Sequence, residues 1–307
     1  MALSYFDKAS RGVVRLWVTD GTLLDTHIVA SLGTGEVTSH LAIGSHVFFS
    51  FLDRANGSEL WQSDGTAAGT VLTKGVSSEL NSALTSLTNV GGTPYFVVFD
   101  LNGGQLWKSD GTAVGTLMVK AINPSGNSDP RELTNVDGTL CFTANDGVHA
   151  EELWKSNGTA AGTVMVRDID TFNTAGSLPT GLTNVGGMLY FQADPGLIGG
   201  ELFKSDGTPG GTVLVKDIFP GADSSDPIGL TNVNGTLYFA ADDGTHGFEL
   251  WKSNGTAAGT MVKDINPSPN AGGPIDLTNV NGTLYFDARD GVDGRELWKS
   301  DGTLPEQ

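Results

Sequence analysis

A Leu-aromatic pair followed by a short polar turn recurs along this chain, and that recurrence restricts the fold more than any other feature. The aromatic falls at Trp17, Trp61, Trp107, Trp154, Phe203, Trp251 and Trp298, at intervals of 44 to 49 residues. A period of this length marks a repeat architecture, in which one supersecondary unit stacks on the next to bury a continuous core. The repeats extend over the 307 residues, so the chain reads as a single domain spanning 1–307.

One repeat, residues 230–265, reads LTNVNGTLYFAADDGTHGFELWKSNGTAAGTMVKDI. Four of its runs have strand composition: LTNV (A), LYFAA (B), ELWKS (C) and a TVLVKDI-type run (D). No segment sustains a helical period. A and B are joined by Asn234-Gly235, Asp137-Gly138 or Gly91-Gly92, pairs suited to the two positive-φ positions of a type I′ turn. An acidic, Gly-containing loop links B to C, as in 242–247, and Ser-Asp-Gly-Thr-type turns link C to D. A longer Pro/Gly/Ser link, such as 219–227, leads to the next A. Three hairpins and one longer crossover describe a propeller blade. The expectation is an all-β, seven-bladed β-propeller of four-stranded antiparallel blades. Its first and last blades are incomplete, because A is expected only from Leu41 onward and D only as far as Ile265. The B strand of the first blade is placed at Tyr5 and Phe6. Such terminal blades would present open sheet edges, a route to self-association.

Register follows from the C–D turn. With Ser205 opposite Thr212, Phe203 falls opposite Leu214 and Glu201 opposite Lys216; in the preceding repeat Trp154 meets Met165. Opposite charges facing across a strand pair stabilise a sheet, so Glu201 and Lys216 are expected to be structural. The seven anchoring aromatics are likewise expected in the core between blades. The recurrent Asp-Gly-Thr reads as turn chemistry, since Asn157 and Asn254 replace the Asp in two repeats. The same reading covers the Asn-Gly-Thr triplets at Asn157, Asn234, Asn254 and Asn281, which also match a glycosylation acceptor.

The stretch ELWKSDGT at 296–303 resembles the ELWxxDGT repeat of bacterial proteins, often large and exported. The resemblance covers nearly the whole chain. Five copies are close, those at Trp61, Trp107, Trp154, Trp251 and Trp298; the Phe203 copy swaps the aromatic, and VRLWVTDGT at 14–22 lacks the Glu. It implies β-propeller-type repeats in a parent protein that is secreted or at the cell surface. It implies no settled activity.

Charge narrows the partners. A formal net charge of −18 repels nucleic-acid phosphate and anionic lipid, so neither is expected as a partner. No run approaches the roughly 20 apolar residues of a membrane helix, so no membrane insertion is expected. The opening residues carry no signal-peptide pattern. The lone Cys141 stands where sister repeats carry Tyr190, Tyr238 and Tyr285, and reads as an apolar filler. No phosphate-binding loop and no GxSxG elbow occurs.

Two groups of residues invite chemistry. Asp146, Asp242, Asp243, Asp290 and Asp293 lie in B–C loops and offer hard oxygen ligands to calcium, the one cofactor expected. His27, His40 and His46 cluster in the most divergent repeats. Repetition itself favours equivalent pockets over one asymmetric catalytic constellation. The leading expectation is a non-enzymatic, multivalent binding or adhesion module, lectin-like, with a glycan or another protein as partner. The alternatives are a self-associating structural repeat of an exported surface protein, stabilised by calcium, and an enzyme built on the first two blades around the three histidines.

Overall fold

The computed structural model describes residues 3–8, 12–79, 82–172, 175–266 and 272–301, with only the backbone for 3–8. Among them the regular structure is β-strand without α-helix, arranged in six antiparallel sheets. The first has six strands: β1 (Leu3–Lys8), β2 (Val13–Thr19), β3 (His27–Ile43), β4 (His46–Asp53), β5 (Gly57–Ser63) and β6 (Val71–Ser77). The second holds β7 (Ala83–Val90), β8 (Thr93–Asp100), β9 (Gly103–Lys108) and β10 (Leu117–Lys120). The third holds β11 (Arg131–Val136), β12 (Thr139–Asn145), β13 (Glu151–Ser156) and β14 (Val164–Arg167). In the fourth are β15 (Thr180–Val185), β16 (Met188–Ala193), β17 (Glu201–Ser205) and β18 (Val213–Lys216). The fifth comprises β19 (Ile228–Val233), β20 (Thr236–Asp242), β21 (Phe248–Ser253) and β22 (Met261–Lys263). The sixth has three strands, β23 (Ile275–Val280), β24 (Thr283–Ala288) and β25 (Glu296–Ser300). Each sheet is a meander whose neighbours in space are neighbours in sequence.

The turns behave as their residues dictate. Between β19 and β20, Asn234 and Gly235 take φ of 51° and 82°, as a type I′ turn requires. In the turn after β17, the Asp206 Oδ1 accepts the Thr208 N–H at 2.8 Å and its hydroxyl at 2.7 Å. Ser205 and Thr212 close the hairpin through their hydroxyls at 2.7 Å. Asn157 makes the same two contacts to Thr159, at 3.0 and 2.8 Å, so the turn works with either side chain. The last Asp-Gly-Thr is described only at Asp301; Gly302 and Thr303 lie outside the described residues.

Two features of the expected layout are corrected. A separate D strand in the first repeat and an A strand starting at Leu41 are replaced by the single 17-residue strand β3. Its residues as far as Thr34 pair with β2 and those from Gly35 onward pair with β4. Gly33, at φ 108°, lies just before this change of partner. The expected Glu201–Lys216 pair does not form. Phe203 does oppose Leu214, and Trp154 does oppose Met165, but a bulge follows and Lys216 falls opposite Leu202. The extra residue in β18 moves Glu201 out of register with the lysine.

The chain divides into two compact units, one comprising Met1–Leu140, Asn145–Gly147 and Ser156–Thr163, the other Cys141–Ala144, Val148–Lys155 and Val164–Gln307. In the first, Phe48 and Leu60 pack with Leu84, Phe96 and Val98 of the next sheet. In the second, Leu202, Val215 and Ile218 pack with Leu237, Phe239 and Trp251. Strand β20 is buried on both faces, which is why LYFAA is almost continuously apolar instead of alternating. Phe191 stacks on Phe203 at 6.1 Å and Phe239 on Trp251 at 6.4 Å. Trp154, Phe203 and Trp251 are buried, while Trp17, Trp61, Trp107 and Trp298 are half-buried.

Candidate functional site

The residues that repeat are engaged in holding the sheets. The buried Glu201 carboxylate accepts the Ile218 N–H at 2.8 Å, the Ser225 N–H at 3.1 Å and the Ser225 hydroxyl at 2.7 Å. Glu152 is held in the same way by Ile169 and Ser177. Burial pushes the carboxyl groups of Glu152, Glu201 and Glu249 above the usual range, against the pull of their hydrogen bonds. Lys216 donates to the Thr260 carbonyl of the next repeat at 3.1 Å, and its ammonium lies 5.0 Å from the centre of the Trp251 ring. Lys204 donates to the Gly255 carbonyl at 2.8 Å. Lys74 and Lys120 donate in the same way to the Thr116 and Thr163 carbonyls, and Arg167 to that of Thr212, so these cations clasp their repeats to the following ones.

The repeat departs from this pattern in the β7–β10 sheet. Gln105 stands where other repeats carry the buried Glu. Its amide donates toward the Gly126 carbonyl at 3.3 Å and accepts from the Ser128 hydroxyl at 3.2 Å. Asn127 supplies the acceptor in turn: its Oδ1 receives the N–H groups of Gly104 at 2.7 Å and Asp129 at 2.8 Å. Gly103, at φ 85°, must be glycine on two grounds, since a Cβ there would overlap Asn127.

This substitution accompanies an open cavity of about 760 Å³ between the β8–β9 turn and the link after β10. Asp100, Leu101 and Asn102 line one part, Asn123 to Asn127 another, and Trp107 and Met118 complete it. Leu101 is 89% exposed. Its backbone is tied down by a 2.8 Å hydrogen bond from its N–H to Glu79. Asn123 is fixed by donating to the Asn127 carbonyl at 3.1 Å and accepting from Ser125 N–H at 3.1 Å. The lining is thus amide and backbone beside an apolar wall, with Asp100 its one titratable side chain. The signal that marks it in the sequence is the break in the repeat, Gln105 with the short Leu101-Asn102-Gly103 turn.

The residues singled out beforehand lie elsewhere. His27 and His40 sit at opposite parts of β3, opposite Val18 and Phe49 respectively, and His46 opens β4; all three are exposed. Asp242 accepts the Gly244 N–H at 2.7 Å, and Asp290 accepts those of Val292 and Asp293 at 2.9 and 3.1 Å. Asp243 accepts the N–H groups of Thr245 and His246 and meets the His246 ring at 2.8 Å. That ring contact raises the His246 pKa. Asp146 lies between β12 and β13, in a different loop from these. Among the described residues no three His, Cys, Asp or Glu side chains converge on one point. Cys141 is buried, and burial pushes its thiol up to about 11.

No known family model matches this chain, and neither does any curated protein. Solved structures do. The chain is similar to one from a study of two prolyl endopeptidases, with TM-score 0.53 and 13% identity over 97% of this chain and 46% of that one. It is similar to prolyl oligopeptidase B from Galerina marginata bound to a 35mer substrate, with TM-score 0.53 and 12% identity over 89% of this chain and 43% of that one. It also aligns with the β-propeller domain of the Trilobed protease from Pyrococcus furiosus, with TM-score 0.47 and 12% identity over 98% of this chain and 91% of that one. The chain spans less than half the length of the first two. What is shared is the β-propeller fold. These neighbours correct the functional expectation. The two chains similar at TM-score 0.53 are prolyl peptidases, not lectins or adhesins, and lend nothing to a glycan-binding module, a self-associating surface repeat or an enzyme centred on His27, His40 and His46. The geometry agrees, because the repeated residues that would make equivalent pockets are taken up in clasps, and the cavity sits where repetition fails.

Proposed function

We propose that this chain is a non-catalytic β-propeller domain that receives a peptide segment in the β7–β10 cavity and acts within a longer peptide-processing protein. The observation that carries this reading is the chemistry of the cavity wall. The Asn102 amide brings a donor and an acceptor, and the NH₂ groups of Asn123 and Asn127 retain donor capacity beyond the bonds that fix the wall, which is what peptide groups need. Leu101, Met118 and Trp107 offer an apolar surface for a side chain beside them. A wall with Asp100 as its one titratable group supplies no acid–base pair, so it suits holding a ligand, not cleaving it. The volume lies within the roughly 300–1,000 Å³ range of ligand sites. The similarity to a prolyl oligopeptidase bound to a 35mer substrate supports a peptide as the class of ligand. Counting β3 once for each of its two partners yields seven meanders, our reading of the chain as seven blades with three-stranded first and last members.

The test is calorimetric titration of the purified chain with short neutral peptides containing proline, followed by mass spectrometry of the mixture. Saturable binding is expected, weakened at least tenfold by Met118→Lys, with the peptides recovered intact. Cleavage by the purified chain would overturn the non-catalytic reading. Absence of binding across the peptide set would overturn the peptide reading.

A further inference from the structure

The β7–β10 cavity owes its room to a second departure from the repeat. The fourth strand of the later sheets leads into Arg167-Asp168-Ile169, Lys216-Asp217-Ile218 and Lys263-Asp264-Ile265, whereas here the run is Lys120-Ala121-Ile122. Asp217 and Asp264 each bury a carboxylate oxygen at this place. Ala121 instead lines the cavity. With Gln105 in place of the glutamate as well, this sheet has lost both acids that its sisters carry.

What remains on the wall is a surplus of donors. The Asn127 Oδ1 is taken by the N–H groups of Gly104 and Asp129, and its NH₂ group meets no acceptor among the described residues. The Asn123 Oδ1 is taken by the Ser125 N–H. Trp107 is the sharper case. At the same place in their repeats, Trp251 and Trp298 donate to the carbonyls of Ala241 and Ala288 at 3.0 and 3.2 Å, and Trp61 donates to Glu59 at 2.8 Å. The Trp107 ring is seated as theirs are, 6.4 Å from Phe96 as Trp251 is from Phe239. Yet among the described residues nothing accepts from its Nε1–H, and the residue is half-buried in the cavity wall.

An indole N–H left open by its own chain is satisfied by water until a ligand brings an acceptor. We infer that Trp107 orients the ligand of the β7–β10 cavity, its Nε1–H donating to a main-chain carbonyl oxygen of a peptide. This rests on the reading of the cavity as a peptide site. The acceptor is a neutral carbonyl and not a carboxylate, because Asp100 stands in the same wall and the chain carries a net charge of −18, both of which repel an anion. The Asn127 NH₂ group serves a second carbonyl. The ligand is thus held by its backbone, while Leu101 and Met118 meet a side chain.

The probes are acetyl-Ala-Pro-Leu-amide and the same peptide with a free C-terminal carboxylate. Calorimetry should show the amide bound more tightly than the acid. Trp107→Phe keeps an aromatic ring and removes the donor, and should weaken binding of the amide about tenfold. Trp251→Phe removes an N–H that the fold itself uses, so it should lower the urea midpoint and leave binding unchanged. Nitrogen-15 labelling of the six tryptophans gives a readout that packing alone would not move. The indole signal missing from Trp107→Phe should shift downfield on titration of the parent chain with the amide, while that of Trp251 stays in place. A Trp107 signal that does not move while the peptide binds overturns the inference whatever Trp107→Phe does, since the ring then acts by packing alone; if Met118→Lys weakens that binding, the cavity is still the peptide site. Tighter binding of the acid overturns the choice of a neutral acceptor. No binding of either peptide overturns both this inference and the peptide reading.

Discussion

Replacing Glu201 by Gln tests whether the repeated glutamate is a buried fastening. The carboxylate takes the Ile218 N–H at 2.8 Å, the Ser225 hydroxyl at 2.7 Å, the Ser225 N–H at 3.1 Å and the Phe219 N–H at 3.4 Å. Gln keeps one acceptor oxygen and turns an NH₂ group toward two donors. Hydrogen bonds to a charged group contribute about 1.5–3 kcal/mol each, but removing the charge also relieves its desolvation. Glu201→Gln should therefore destabilise by about 2–3 kcal/mol, less than the two lost bonds alone. Gln105 does not argue otherwise, because it faces the Gly126 carbonyl and has Asn127 beside it to take the N–H groups. The pH dependence carries a sign. Burial raises the folded-state pKa of Glu201 above its unfolded value, so its contribution is greatest below the unfolded pKa and declines as pH rises through the folded one. Gln does not titrate, so the stability gap between the two proteins should narrow from pH 4 to pH 7. Urea unfolding of both at a series of pH values measures it. A gap that widens as pH rises, or a Gln variant as stable as the parent, would refute the reasoning.

Asp206→Asn should shift the melting temperature by no more than roughly 2 °C at pH 7, because Asn157 makes the same turn contacts. The Thr208 side chain holds Asp206 below the usual carboxylate range, so this contribution is lost as pH falls through the depressed pKa; melting curves in acid should show the Asn variant spared that loss. With its thiol raised to about 11 by burial, Cys141 should resist iodoacetamide at pH 8 in the folded chain and react on addition of denaturant, as mass spectrometry will show; rapid labelling of the native chain would contradict the burial. Cys141→Tyr should stabilise by about 1 kcal/mol in urea. In other repeats a tyrosine at this position abuts the turn glycine of the next repeat, Tyr95 at Gly158 and Tyr190 at Gly255, while the Lys155 side chain is the one group near Gly207; a loss of stability would mean that side chain cannot make room.

How far the sequence reaches depends on how far apart the interacting residues lie. The type I′ turn at Asn234-Gly235 and the Ser205–Thr212 closure are set by residues within a few positions of one another, so turn chemistry reads them directly. The bulge in β18 is one residue without a composition of its own, and missing it misplaces Glu201. The true partners of that carboxylate, Ile218 and Ser225, lie in the link to the next repeat, where no hairpin rule applies. A trace of them is visible in the repeat itself, for Ser177 and Ser225 follow their glutamates by 25 and 24 residues and bind them alike. Strand β3 escaped for a related reason, since glycines at 33 and 35 look like a link but serve a strand that changes partner. Function follows the opposite logic. Residues kept from repeat to repeat are committed to turns, clasps and buried carboxylates. Where a position breaks the pattern, as at Gln105, the link packs differently and a cavity is there. In a chain built by repetition the departures, more than the motif, are where ligand chemistry belongs.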